Sequence, residues 1–394
     1  MLRYLPKNMN GILAVDKPAG VSSSLVVLQL QKIFTASGVF ARDLADAKRK
    51  VHEQLTSGTR WQPSKIANRV KNIKIRVGHG GTLDPLARGV LVVGVGSGTK
   101  KLLYYLAECT KTYEARALLG QQTTTGDSEG EVFMQTETAH VSLADLRAAA
   151  RKFVGHSKQT PPVYSALKVD GKPLYEYARK GIPVPKLIKP RDVSVHLLEI
   201  HDDYGPSSYQ PFQPLDMAKE VFCNQTLNEH ALIFSDEYVA DPDVSPEEKN
   251  THIVPRFIDP ALTPDTLPCV HLTASVGSGT YIRSLISDLG RAVGSSAHMT
   301  ELTRTKQADW VLGKNVFAVS DFTDRDERVW GPVLKCVFER GASVDLAAEF
   351  AEVELLVLPM LEAEKAGTEG ASAAEELRPE LKRQKIDPAP EPRD

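Results

Sequence analysis

The stretch Gly78-His-Gly-Gly-Thr-Leu-Asp-Pro-Leu-Ala-Arg-Gly89 limits the fold more than any other part of the chain. Three glycines precede Asp84, Gly89 closes the stretch, and the apolar run Val90-Leu-Val-Val-Gly94 follows directly. Glycine tolerates backbone angles closed to other residues, and proline fixes φ. The stretch therefore reads as a constrained loop feeding a buried strand. An Asp-Pro turn is an ordinary device for reversing a chain. The glycine density also suits a backbone passing close to a ligand, where a carboxylate can act as nucleophile or base.

The flanking sequence supplies the elements around that loop. Residues 11–15 are apolar and extended, residues 16–20 form a Pro/Gly turn, and Ser22, Ser23 or Ser24 caps a helix carrying Leu25, Val26, Leu28, Leu30 and Ile33. A helix begins in residues 99–106, residues 112–119 and 193–200 read as strands, and residues 142–154 as an amphipathic helix. Residues 269–276 read as a strand that turns at Gly277-Ser-Gly279. Thr280 then caps a helix with Ile282, Leu285, Ile286 and Leu289 on one face, which Gly290 or Gly294 ends.

Net charge is informative once it is divided. The whole chain carries −2, but residues 202–265 hold 13 acids and 3 bases, and residues 362–394 hold 9 and 6. The rest therefore carries +11, with 10 bases and 3 acids in residues 34–77. A basic body with acidic appendages suits a polyanionic partner. Residues 34–77 and 202–265 read as insertions, the acidic one partly mobile for want of apolar surface. Residues 362–394 read as a disordered, low-complexity tail.

Several classes are excluded. No apolar run is long enough to span a bilayer, so no membrane partner is expected. Cys109, Cys223, Cys269 and Cys336 have neither disulfide nor zinc spacing, which points to a reducing compartment and no metal. Gly94-Val-Gly-Ser-Gly-Thr-Lys100 lacks the Gly-Lys-Ser/Thr ending of a phosphate-binding loop.

The Gly-rich stretch resembles the catalytic motif of the TruB family of pseudouridine synthases, and four further stretches agree in order. These are Gly11-Ile-Leu-Ala-Val-Asp-Lys-Pro-Ala-Gly-Val-Ser-Ser23, Lys111-Thr-Tyr113, Gln159-Thr-Pro-Pro-Val-Tyr-Ser-Ala-Leu-Lys168 with Gly171-Lys-Pro-Leu-Tyr-Glu-Tyr-Ala-Arg179, and Gly279-Thr-Tyr-Ile-Arg-Ser-Leu285 with Asp288-Leu-Gly290 and Ala297-His298. The resemblance implies an α+β fold whose central mixed, largely antiparallel β-sheet, flanked by helices and loops, carries the catalytic cleft. It implies a catalytic domain over residues 8–330, a short extension over 331–361, and a stand-alone tRNA enzyme acting on uridine 55 (tRNA numbering) of the T loop. A monomer in nucleus or cytoplasm, and also in the mitochondrion, is expected, with Lys382-Arg-Gln-Lys385 as a weak nuclear signal.

The resemblance also assigns roles. Asp84 is the catalytic carboxylate, Arg283 its cationic partner, and Asp127 holds the arginine. Tyr113 stacks on the uracil, Tyr281 and Leu302 line the pocket, and His79 helps the RNA loop open. Apart from the resemblance, Lys17, Lys168, Lys172 and Arg179 read either as phosphate contacts or as solvated surface charge. Making pseudouridine breaks the N1–C1′ bond and joins C5 to C1′ with no atom gained, so no cofactor is required. The carboxylate stabilises positive character at C1′, attacks it, or takes a sugar proton. The target base must first be turned out of its stack. Three other readings differ: a guide-directed rRNA enzyme, an RNA-binding module without catalysis, and a glycosidase, which needs a second acid beside Asp84.

Overall fold

A computed structural model describes residues 9–58, 61–186, 188–208, 231–258 and 265–383. β1 (Gly11–Lys17) leads into α1 (Ser23–Ala36), α2 (Ala41–Gly58) and α3 (Pro63–Lys71). β2 (Val77–His79) and β3 (Arg88–Val95) bracket the Gly-rich loop, and a 3-10 turn, Gly96–Lys101, runs into α4 (Leu102–Ala107). Then come β4 (Lys111–Leu119), β5 (Gln121–Thr123), β6 (Val132–Gln135), α5 (Leu143–Arg151) and β7 (Gly155–Gln159). A small hairpin, β8 (Lys168–Val169) and β9 (Lys172–Pro173), precedes α6 (Leu174–Arg179). The second half holds β10 (Arg191–Ile200), β11 (Gly205–Ser207), α7 (Asp236–Ala240), β12 (Leu267–Val276) and α8 (Ile282–Ala292). β13 (Ala297–Gln307), β14 (Trp310–Val311), β15 (Phe317–Ala318), α9 (Glu327–Arg340) and α10 (Leu346–Arg383) complete the chain.

The fold is α+β. One sheet runs β15-β1-β3-β13-β4-β12-β10-β7, with β2, β14 and β11 added at its margins. It is mixed and mostly antiparallel; β1 with β15 and β3 with β13 are the parallel pairs. Two cores flank it. One packs Leu13, Val15, Val26, Leu30 and Phe34 against Trp330, Val333 and Val337. The other packs Ala115, Ala117, Leu272 and Ala274 against Ile282, Leu285, Ile286 and Leu289, and includes Leu83, Tyr113 and Leu302 from the Asp84 region.

Local expectations are met and corrected in turn. Ser22 caps α1, its side chain accepting from the Leu25 amide. The buried face of α1 is Val26, Leu30 and Phe34, whereas Leu25 and Leu28 are exposed. Thr280 does not cap α8. Tyr281 is the capping residue, extended at φ −98° and ψ 114°, and the Thr280 hydroxyl is buried without a partner among the described residues. The Gln159 side chain does the capping work, accepting from the Tyr281 amide at 2.8 Å and donating to the Tyr281 carbonyl at 3.1 Å.

The appendages are better anchored than their composition suggests. Residues 34–77 place Phe34, Val39, Phe40 and Ile75 in the first core, so only α2 and α3 between them project. In residues 202–265, Leu232 and Phe234 are buried, and Phe234 meets Phe153 edge-on at 5.6 Å. Residues 209–230 and 259–264 lie outside the described residues, so the expected partial mobility of this stretch falls partly outside them. Residues 331–361 are no appendage, since Val333, Leu334, Val337, Leu346, Phe350 and Val357 belong to the first core. The tail expected to be disordered from residue 362 is helical to Arg383, because alanine, glutamate, leucine and lysine are strong helix formers. Residues 384–394, including the end of the Lys382–Lys385 signal, lie outside the described residues. Among the described residues no single helix is long and apolar enough to cross a membrane.

Candidate active site

The Gly-rich loop is clamped from below by the chain's first turn. Ser23 Oγ accepts from the Leu83 amide at 2.9 Å and donates to the Leu83 carbonyl at 3.0 Å. The Pro85 carbonyl accepts from the Gly20 amide at 2.8 Å and from Lys17 Nζ at 3.2 Å. Both neighbours of Asp84 are thus fixed by residues 17–23. Gly89, at φ +103°, ends the loop where a Cβ would lie 2.3 Å from the Arg304 carbonyl. The close approach that demands glycine here is to β13, not to a ligand.

Asp84 is about a third exposed, and its Oδ2 accepts from Arg283 Nε at 2.8 Å. Oδ1 takes no hydrogen bond among the described residues. Arg283 is buried, as is Asp127, whose Oδ2 lies 3.6 Å from the same Nε. The other guanidinium nitrogens donate to the Thr125 carbonyl at 2.5 Å and the Tyr164 carbonyl at 2.8 Å. Asp127 is held in turn, its Oδ1 accepting from Thr125 Oγ1 at 2.5 Å and the Glu129 amide at 3.1 Å. A planar fork held on every side can present one charge in one orientation, which a lysine could not do. The arginine is therefore not the exposed first-turn residue that its place in α8 alone would suggest. Glu129, which no motif singled out, faces the same cluster; burial and then Asp127 and Asp84 push its carboxyl above the usual range.

Tyr113 is buried beside Leu83 and Leu302. Its hydroxyl accepts from Arg304 Nη1 at 3.4 Å, and the same guanidinium donates to the Gly81 carbonyl at 3.2 Å and the Val90 carbonyl at 2.6 Å. Arg304 thus ties Tyr113 to both ends of the Asp84 loop. Its signal in the sequence is strand parity: it stands two residues after Leu302, on the inward side of β13. His79 ends β2, its Nδ1 buried without a partner among the described residues, and burial followed by the Arg304 charge lowers its pKa. Tyr281 is half-buried at the start of α8, next to Arg283.

Lys17 requires correction. It is fully buried and donates to the carbonyls of Pro18, Val21 and Pro85, so it cannot be a phosphate contact. Strand parity again gives the reason, since Leu13, Val15 and Lys17 share one face of β1. Burial lowers its pKa to about 8, against the opposing attraction of Asp84. Lys168, Lys172 and Arg179 are exposed on the β8–β9 hairpin and α6. The amides of Leu174 and Tyr175 donate back to the carbonyls of Leu167 and Ser165, which sets this hairpin beside Tyr164 and the Arg283 guanidinium.

Comparison with known proteins places the chain in a family. Residues 68–212 match the TruB family pseudouridylate synthase N-terminal domain. The chain is 43% identical to tRNA pseudouridine synthase 4 of Saccharomyces cerevisiae, over 88% of this chain and 89% of that one. It is 36% identical to tRNA pseudouridine synthase 4 of Schizosaccharomyces pombe, over 79% and 82%. It is 29% identical to tRNA pseudouridine synthase B of Neisseria meningitidis, over 81% and 71%. Among solved structures, a Cbf5-Nop10-Gar1 complex aligns with a TM-score of 0.42 at 19% identity, over 87% of this chain and 59% of that one. With the two yeast relatives matched along most of both chains, the chain belongs to the TruB family of pseudouridine synthases.

Proposed function

We propose that the protein isomerises uridine 55 in the T loop of tRNA, with Asp84 as the catalytic carboxylate. That it is an isomerase making pseudouridine in tRNA follows from its family and its relatives. The observation supporting the assignment to Asp84 is its asymmetry: one oxygen is fixed by a buried arginine, and the other takes no hydrogen bond among the described residues on a side chain about a third exposed.

The chemistry asked of each group fits its surroundings. The everted uridine enters beside Tyr113 and Leu302, where the phenol ring stacks on uracil and offsets lost base stacking of a few kcal/mol. The open oxygen of Asp84 then faces the ribose. As the N1–C1′ bond breaks, the electron pair stays on uracil and positive character grows at C1′. Asp84 meets that charge by stabilising it, attacking C1′, or removing a sugar proton. The uracil turns, C5 bonds to C1′, and the proton lost from C5 is balanced by protonation of N1, with the Tyr113 hydroxyl relaying the proton between them, so no atom is gained. The second acid of a glycosidase is present as Asp127, but it is buried and engaged with Thr125 and Arg283. That occupancy disfavours the glycosidase reading.

Lys168, Lys172 and Arg179 then stand at the rim as contacts to the RNA backbone, and the chain works as a monomer. The test is to map pseudouridine in total RNA from cells with and without the protein. Loss at tRNA position 55 is expected; loss confined to rRNA would instead support the guide-directed reading.

A further inference from the structure

The segment from α3 to β2 carries a surface that the catalytic site does not use. Residues 62–76 contain Lys65, Arg69, Lys71, Lys74 and Arg76 and no acid. All five are exposed, and among the described residues none of their side chains forms a hydrogen bond or an ion pair. The contrast with α2 is informative, because Arg49 there is paired with Asp46 and sits 4.0 Å from Glu53. A solvated, solubility-type surface mixes both signs in that manner. α3 instead turns Ile66 into the protein and leaves its other faces to lysine, arginine and asparagine. Trp61, just before α3, is 45% exposed, a large aromatic surface left in water.

The position of this surface gives it a partner. Arg76 leads directly into β2, and the chain reaches Asp84 eight residues later. The Gly96 amide donates to the Arg76 carbonyl at 2.7 Å, and Val77 pairs with Val95. This joins α3 to the 3-10 turn that carries exposed Lys100 and Lys101. The cations therefore cluster at the Val95 end of β3, the strand whose Arg88 end receives the Asp84 loop.

We propose that α3 and the strand entry after it bind the sugar–phosphate backbone of the tRNA beyond the loop that enters the cleft, with Trp61 available to stack on an unpaired base. The inference rests on tRNA being the substrate, and not on which uridine is modified. Backbone contacts by unpaired cations position an RNA without reading its sequence, and each releases counterions. Their signature is a salt dependence that weakens when cations are removed.

The experiment uses the full-length protein and a whole tRNA transcript, comparing wild type with the triple variant Lys65→Gln, Arg69→Gln, Lys71→Gln. All three sites are exposed and on one helix, so folding should be retained. The variant is expected to bind tRNA roughly tenfold or more weakly at ~0.1 M salt, with the slope of log affinity against log salt shallower by about 3. Turnover at saturating tRNA should stay within about twofold of wild type, since α3 touches no reacting atom. Unchanged affinity and slope in a folded variant would overturn the proposal. Should the triple variant misfold, Lys65→Gln and Lys71→Gln singly should each reduce the slope by about 1, and two unchanged slopes overturn it equally. A wild-type enzyme that binds tRNA but leaves uridine 55 unmodified would sink the T-loop assignment while leaving this binding test intact.

Discussion

Replacing Arg283 separates the architecture of the site from its chemistry. In Arg283→Met the Asp84 carboxylate loses its only hydrogen bond among the described residues, but it is about a third exposed and water can replace that contact at small cost. Asp127 is different. It is about 4% exposed and, among the described residues, keeps only the Thr125 hydroxyl and the Glu129 amide. Removing one member of a buried ion pair costs ~3–5 kcal/mol, mostly as the uncompensated charge left behind. The loss of Arg283 should therefore destabilise the fold by roughly 3 kcal/mol, nearly all of it through Asp127. Adding Asp127→Asn should recover much of that stability, because a neutral amide suits the same pocket. It should recover no activity, because Asp84 remains unheld; kcat in both variants should fall by ~10²–10³. Urea denaturation and single-turnover pseudouridine formation read the two effects separately. Additive stability losses in Arg283→Met/Asp127→Asn would refute the shared-guanidinium argument.

Two further outcomes follow from buried groups. Lys17→Met removes three donated bonds, one of them to the carbonyl next to Asp84, and also relieves the burial of a charge. A shift from 10.5 to about 8 corresponds to about 3 kcal/mol of disfavoured charge, which offsets much of the lost bonding. The expected net loss is ~1–3 kcal/mol, while kcat falls at least tenfold with KM little changed, measured by chemical denaturation and steady-state kinetics. His79 and His298 both have pKa values lowered by burial, so between their folded values and 6.5 the unfolded chain binds more protons. Stability should fall as pH drops below about 6.5, and His79→Gln should flatten that fall in urea midpoints taken at about pH 7 and about pH 5.5.

What could be read from the sequence depended on whether the signal was local. The Asp84 loop, β3, β4 and the apolar face of α8 rest on short-range patterns of glycine, proline and period, and these survive folding. Asp84, Asp127 and Arg283 were paired only through family resemblance, because they stand far apart in the chain and meet only when β4, β13 and α8 assemble. Lys17 looked like a surface cation because lysine normally is one. Its parity with Leu13 and Val15 was the better guide, and the same parity marks Arg304 after Leu302. The helix cap supplied by Gln159 had no local trace, since its partner Tyr281 lies 122 residues away. Residues 331–361 read only as a short extension, and their place against β1 could not be read locally because it depends on a surface formed at the other end of the chain.

The claim that everything turns on one carboxylate oxygen can be examined with Asp84→Asn. The amide preserves shape, and its site is open enough to water that the fold and tRNA affinity should be unchanged. Incubated with uridine-labelled tRNA at enzyme excess, the variant should form no pseudouridine above background while retaining tRNA in a binding assay. Steady product accumulation by a variant confirmed by mass spectrometry as Asn at position 84 would contradict the account.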